Sequence, residues 1–225
     1  MKKFFAFFLA SFLSACAGRT DKNPLDVQAV PVVETLSEKV QKLITAQQDA
    51  FLKALPEKID ALNASGAIAD YEKNKRGGGL SRSYDNTEAK TALTVFVYNG
   101  YDFGIDEGVT DKAHAAMDDA LKKFRIYQET GLYKNVRVEP VVEKEMKVRG
   151  NAYPFLRTTV SFSVKGEKKI SYVALIPCRP LLSYIRLQLT YPVSFAATRL
   201  QNAALRAVTA AAAQLSGETK TAGDF

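Results

Sequence analysis

The sequence predicts an α+β fold, a mostly antiparallel sheet with helices packed on its faces, spanning about residues 80–215 and preceded by a helical arm. Three observations predict it. Thr158, Val160, Phe162 and Val164 alternate with Thr159, Ser161 and Ser163, and Ile185, Leu187, Leu189 and Tyr191 alternate with Tyr184, Arg186, Gln188 and Thr190, the period of strands with two unlike faces. Ala113, Ala116, Met117, Ala120, Leu121, Phe124 and Tyr127 fall on one helical stripe. Several strand candidates follow one another through short polar turns, which favours hairpins and therefore antiparallel pairing. With 225 residues, 47% of them hydrophobic, the chain is long enough for one domain with a sizeable core plus an appendage, and too short for two ordinary domains.

The first segment reads as an address. Lys2 and Lys3 precede an apolar run from Phe4 to Leu13, too short to span a hydrocarbon core, which takes about 20 residues, and suited to a secretory signal. Leu13-Ser14-Ala15-Cys16 follows, and this tetrad resembles the lipobox of bacterial lipoproteins. The resemblance implies a signal peptide at 1–15, cleavage before Cys16, and acylation of Cys16 as the mature N-terminus. Residue 17 is Ala rather than Asp, which by the sorting rule of such lipoproteins implies the outer membrane, facing the periplasm. Two or more acyl chains anchor stably, each buried CH₂ contributing about 0.8 kcal/mol.

Residues 16–34 carry Pro24 and Pro31 and read as an extended tether. Thr35-Leu-Ser-Glu38 then forms a capping box, and Leu36, Val40, Leu43, Ile44, Phe51, Ala54 and Leu55 predict a helix that Pro56 breaks. Ile59 and Leu62 suggest a short helical continuation. Gly77-Gly78-Gly79 lacks the Lys-Ser/Thr of a phosphate loop and reads as a flexible joint, so 35–79 is the helical arm. Strands follow at 80–84 and 91–98, the second apolar on both faces as if covered on both sides. Thr110 caps the helix of the 113–127 stripe, and Gly131 stops it. Four further strands are expected at about 134–148, 154–164, 168–177 and 182–191, then an alanine-rich helix at about 195–215 and a frayed tail at 216–225.

This element order resembles the PsbP-like fold, which DcrB-like bacterial lipoproteins also use. More locally, Tyr84-Asp85, Leu93-Thr-Val-Phe-Val-Tyr-Asn99, Gly108 and Gly131-Leu-Tyr133 resemble exported bacterial proteins of uncharacterised function. The fold-level resemblance implies an accessory or interaction module and brings no catalytic residue with it.

The chemistry-bearing residues are few. One His and two Cys exclude a multi-histidine metal centre, a zinc ribbon and a disulfide framework, and no cofactor or metal is expected. His114 sits on the boundary of its helix stripe, where a surface role outweighs a base. Cys178 ends an apolar run and reads as a small buried hydrophobe. Asp102, Asp106 and Glu107 share a glycine-rich loop whose spacing is not that of a calcium site; glycines serve the turns and acid favours the helix N-terminus.

Charge has direction. Lys+Arg number 31 against 24 Asp+Glu. Residues 170–217 hold no Asp, Glu or Lys, only Arg179, Arg186, Arg199 and Arg206. Arg186, Arg199 and Arg206 are therefore the candidate site for an anionic partner, to be found exposed together. The competing outcome is pairing with acids of the arm, where 21–72 holds nine Asp/Glu.

The sequence thus suggests a lipid-anchored, non-catalytic interaction module of the bacterial cell envelope, partnered by the membrane and by an anionic envelope component or protein. The alternative is an envelope enzyme of hydrolase type with an unrecognised site. Export argues against nucleic acid as a partner.

Cys16→Ala is expected to abolish incorporation of a metabolic fatty-acid label. A variant that keeps the label would refute the address.

Overall fold

The structure, a computed structural model, describes residues 35–148 and 150–215. The leader, Cys16, the tether and the tail at 216–225 lie outside the described residues. The elements are α1 (Leu36–Ala54), β1 (Lys58–Ile59), β2 (Leu62–Asp70), β3 (Leu80–Asn86), β4 (Thr91–Tyr98), α2 (Asp111–Glu129), β5 (Lys134–Val138), β6 (Val142–Val148), β7 (Asn151–Val164), β8 (Glu167–Cys178), β9 (Ser183–Pro192) and α3 (Thr198–Leu215). The strands form one sheet in the order β1-β2-β3-β4-β9-β8-β7-β5, with β6 also on β7. Every neighbouring pair is antiparallel. The class is α+β, an antiparallel sheet with helices on its faces, as the alternating patterns at 158–164 and 184–191 predict.

Because side chains alternate across a strand, the sheet buries two separate cores. On one face Leu93, Val95, Val97, Ala174, Ile176, Ile185, Leu187 and Leu189 meet Phe51 and Leu52 of α1 and Leu200, Ala204 and Val208 of α3. On the other, Leu156, Val160, Phe162, Val173 and Leu175 meet Ala113, Met117, Leu121 and Phe124 of α2. The second core draws its sheet residues mainly from β7 and β8, so α2 lies over that half.

Helix α1 starts at the expected capping box. The Thr35 hydroxyl accepts from the Glu38 N–H, and the Glu38 carboxylate accepts from the Thr35 N–H. Its far end is held by Arg82, which is only 8% exposed. Arg82 Nη1 donates to the carbonyls of Leu52 at 2.9 Å and Leu55 at 2.7 Å, groups that a helix terminus leaves without intrahelical partners. Arg82 Nη2 reaches Glu57 at 2.5 Å. Buried amides fix the rest: Gln41 and Asn99 exchange hydrogen bonds, and Gln48 donates to Ser183 at 2.9 Å.

Four expectations are corrected. First, Ile59 and Leu62 belong to strands, not to a continued helix. The residue before a proline is driven out of the α region, so Leu55 is extended and ends α1; β2 then pairs with β3. Residues 35–70 therefore cover and extend the sheet rather than forming an arm beside it.

Second, Gly77-Gly78-Gly79 is no joint. The Glu72 carboxylate accepts from the N–H groups of Gly77 at 2.8 Å and Gly79 at 3.1 Å, and Tyr71 N–H donates to the Gly79 carbonyl. Gly79 has φ +71°, and a Cβ there would stand 1.9 Å from the Val97 carbonyl oxygen. The glycines let this loop lie directly on the end of β4. Third, 134–148 is two strands. Pro140 cannot donate to a ladder, and β5 and β6 meet β7 on either side of the break. Fourth, β4 is not covered alike on both sides. Leu93, Val95 and Val97 are buried, while Thr94, Phe96 and Tyr98 on the other face are only partly so.

Gly79→Ala is expected to lower unfolding free energy by roughly 2–4 kcal/mol, combining a strained φ with a backbone clash. A urea midpoint equal to that of the native chain would contradict the packed-loop account.

Candidate functional site

The β4–β9 register sets Phe96 opposite Arg186 and Tyr98 opposite Tyr184. Even-numbered residues of β9 point to the α2 side, as the sequence alternation placed Arg186 on the polar face. That face is roofed here. Lys123 and Tyr127 come from the C-terminal half of α2, and Tyr71 and Lys75 from the loop that precedes β3. Tyr71 sits 6.1 Å from the Phe96 ring, centroid to centroid, and Lys123 Nζ lies 6.0 Å from that ring.

Arg186 is therefore 5% exposed. Its guanidinium carbon stands 4.0 Å from the Phe96 centroid and 5.8 Å from that of Tyr98. Stacking on aromatic faces contributes about 0.5–2 kcal/mol. No hydrogen bond or ion pair accompanies it among the described residues, and its buried Nε–H has no acceptor. Burial pushes the guanidinium below its ordinary pKa, with the Tyr98, Tyr71 and Tyr127 phenols acting in the other direction.

Lys123 stands at the same ring, and Lys75 lies within electrostatic reach of Lys123. Burial lowers the pKa of Lys123, and the charges of Arg186 and Lys75 lower it further. Among the described residues no carboxylate forms an ion pair with Arg186, Lys123 or Lys75. Of the acids near this side, Asp119 pairs with Lys122 at 2.5 Å while its charge also acts on the Tyr98 phenol, and Glu72 holds the glycine loop. Burial raises the Tyr98 phenol to about 12, so it stays a neutral hydroxyl at working pH. The arrangement is an electropositive, aromatic-walled site suited to an oxyanion.

The expected trio of arginines does not assemble. Arg199 and Arg206 lie on α3, across the sheet from Arg186. Arg199 Nη2 pairs with Asp60 at 3.0 Å, so an acid from the N-terminal region neutralises it, and Arg206 is exposed on the helix. The physical reason is the sheet itself: odd positions of β9 bury against α3 and even positions against the α2 side. Arg186 keeps a candidate role, with partners the sequence did not identify. Tyr71, Lys75, Phe96, Tyr98, Lys123 and Tyr127 were missed. Their only sequence signal is that Thr94, Phe96 and Tyr98 form the less apolar face of their strand.

The remaining candidates fall elsewhere. His114 is exposed on α2, and Cys178 is buried in the α1/α3 core. Lys112 holds the acidic loop by donating to the Gly104 carbonyl at 2.9 Å and pairing with Asp102 at 3.0 Å; the Gly104 N–H and Lys112 hold Asp102 below its usual carboxylate range. A cavity of about 200 Å³ lies between β7 and α3, lined by Glu139, Arg157, Thr159, Tyr172 and Gln201 among others. Burial raises Tyr172 to about 12, which keeps it protonated.

No family model and no curated protein matches the chain. Among solved structures it is similar to the Saccharomyces cerevisiae Ran-binding protein Mog1p, at 14% identity over 70% of this chain and 86% of that one, with TM-score 0.30. A point mutant of protein Mog1 gives 14% identity, 70% and 87% coverage, and TM-score 0.31. Likenesses this distant do not bear on what the chain does.

An unpaired buried charge costs several kcal/mol, and ring stacking offsets only part of that. Arg186→Met is accordingly expected to stabilise the domain by about 1–2 kcal/mol in chemical denaturation. A clear loss of stability would mean that Arg186 serves the fold rather than a ligand.

Proposed function

We propose that the protein is a lipid-anchored, non-catalytic binding module of the bacterial cell envelope that receives an anionic partner at Arg186. Cys16 carries the anchor, and the tether leads from it to the domain, on the periplasmic face of the outer membrane. The observation that carries the binding role is the side chain of Arg186, buried without a counter-charge beside two other cations. Sites that destabilise a fold without an evident structural return are characteristic of function. The fold-level resemblance to accessory modules is consistent with this reading, and so is the basic balance of the chain, which favours acidic partners.

The test is photo-crosslinking in intact envelopes from Asn74, an exposed position beside Lys75. The expected result is an adduct that Arg186→Met and raised ionic strength both remove, at unchanged abundance and membrane fractionation. An adduct indifferent to both would overturn the reading, as would recovery of the native protein in the soluble fraction.

A further inference from the structure

We propose that Arg186, Lys123 and Lys75 form a binding site for a phosphate group, with Phe96, Tyr71 and Tyr98 as its aromatic walls. The inference rests on the anion-binding reading above and adds the chemistry of the ligand.

Charge number narrows that chemistry. Arg186 of β9 and Lys123 of α2 both stand against the Phe96 ring, and the charge of Lys75 in the 71–79 loop acts on Lys123; among the described residues none of the three has an ion-paired carboxylate. A single carboxylate supplies one negative charge. A phosphate monoester carries about −1.5 to −2 at neutral pH and three acceptor oxygens. It therefore compensates more of the mutual repulsion, which adds to the larger effect of burial in lowering the pKa of Lys123.

Donor geometry points the same way. A guanidinium presents a rigid planar fork that matches two oxygens of one phosphate, whereas lysines act as mobile point charges. Here the fork is fixed by stacking on Phe96 at 4.0 Å. The two lysines are exposed and carry their charge on flexible stems. The protonated Tyr98 hydroxyl adds a neutral donor on the same face. The phosphate comes either from a lipid headgroup or from a soluble phosphate ester.

The experiment is calorimetry and thermal unfolding of the full chain in neutral detergent, at low and at physiological salt. The probes are inorganic phosphate, glycerol 3-phosphate, and micelles doped with phosphatidic acid or, as control, phosphatidylcholine. Phosphate and its monoesters are expected to bind and to raise the unfolding temperature, as any ligand of the native state does. Arg186→Met and Lys123→Gln are each expected to weaken binding at least about tenfold, and Arg186→Lys to weaken it too, since the fork is lost. Preference for phosphatidic acid over glycerol 3-phosphate supports a headgroup source, and equal affinity supports a soluble ester.

Phosphate binding unchanged in both Arg186→Met and Lys123→Gln overturns the site. If polyglutamate binds in an Arg186-dependent manner and no phosphate probe does, the phosphate assignment falls while the anion-binding reading stands. If neither class of anion binds, both fall.

Discussion

The pairing of β4 with β9 is the constraint on which the rest depends. It joins 92–98 to 184–190, segments separated by α2 and four other strands, so its loop-closure entropy is offset only when the strands between also pair. Once made, it places β3 and β2 on one side of the sheet's middle and β8 and β7 on the other. It also sets Phe96 against Arg186 and Tyr98 against Tyr184. The basis of the proposed site is thus a by-product of the register that closes the sheet. A slip of one residue would turn Arg186 into the α1/α3 core.

Two buried arginines on opposite faces of that sheet show what the fold does with a charge when it has the means. Arg82 points toward α1 and finds two carbonyls and a carboxylate. Its hydrogen bonds replace much of the lost hydration and complete a helix terminus. Glu57 is largely exposed, so the ion pair itself contributes modestly; the carbonyls carry the placement. Arg186 points the other way and finds rings. Nothing about the α2 side prevents a carboxylate from standing where Lys123 or Lys75 stands. The difference between the two residues is therefore chemical rather than a matter of burial.

The sequence carried much of the fold in local form. The capping box at Thr35, the stripe of α2 and the alternation of β7 and β9 all act within a few residues of themselves, and each is legible where it occurs. Strand β2 was not: Leu62-Asn-Ala-Ser-Gly-Ala-Ile-Ala-Asp70 has weak strand propensity and forms because β3 offers an edge, a case of tertiary context overriding local preference. The glycines at 77–79 looked like slack because the Val97 carbonyl that they approach is remote in sequence. Arg186 was legible as a polar-face residue, and its burial was not, because the roof comes from residues 71–75 and from α2. Arg199 and Arg206 shared its composition and its stretch of chain but not its face, and strand periodicity cannot tell which face a following helix will cover.

Burial also determines what such a site does for affinity. The guanidinium of Arg186 is stripped of most of its water by folding, before any ligand arrives. Its orientation is set by Phe96, so little side-chain freedom remains to be lost on binding. Both costs fall on the folded state rather than on a binding step. Lys123 and Lys75 differ: both are exposed and keep part of their hydration in the folded state. In the proposed site a stacked arginine and more exposed lysines would divide the work between fixing the position of one compact group and drawing it in through a charge that acts at longer range. Added salt screens the exposed lysines more than the buried arginine, so in the proposed site the lysines would set how readily a ligand arrives, and Arg186 how long it stays.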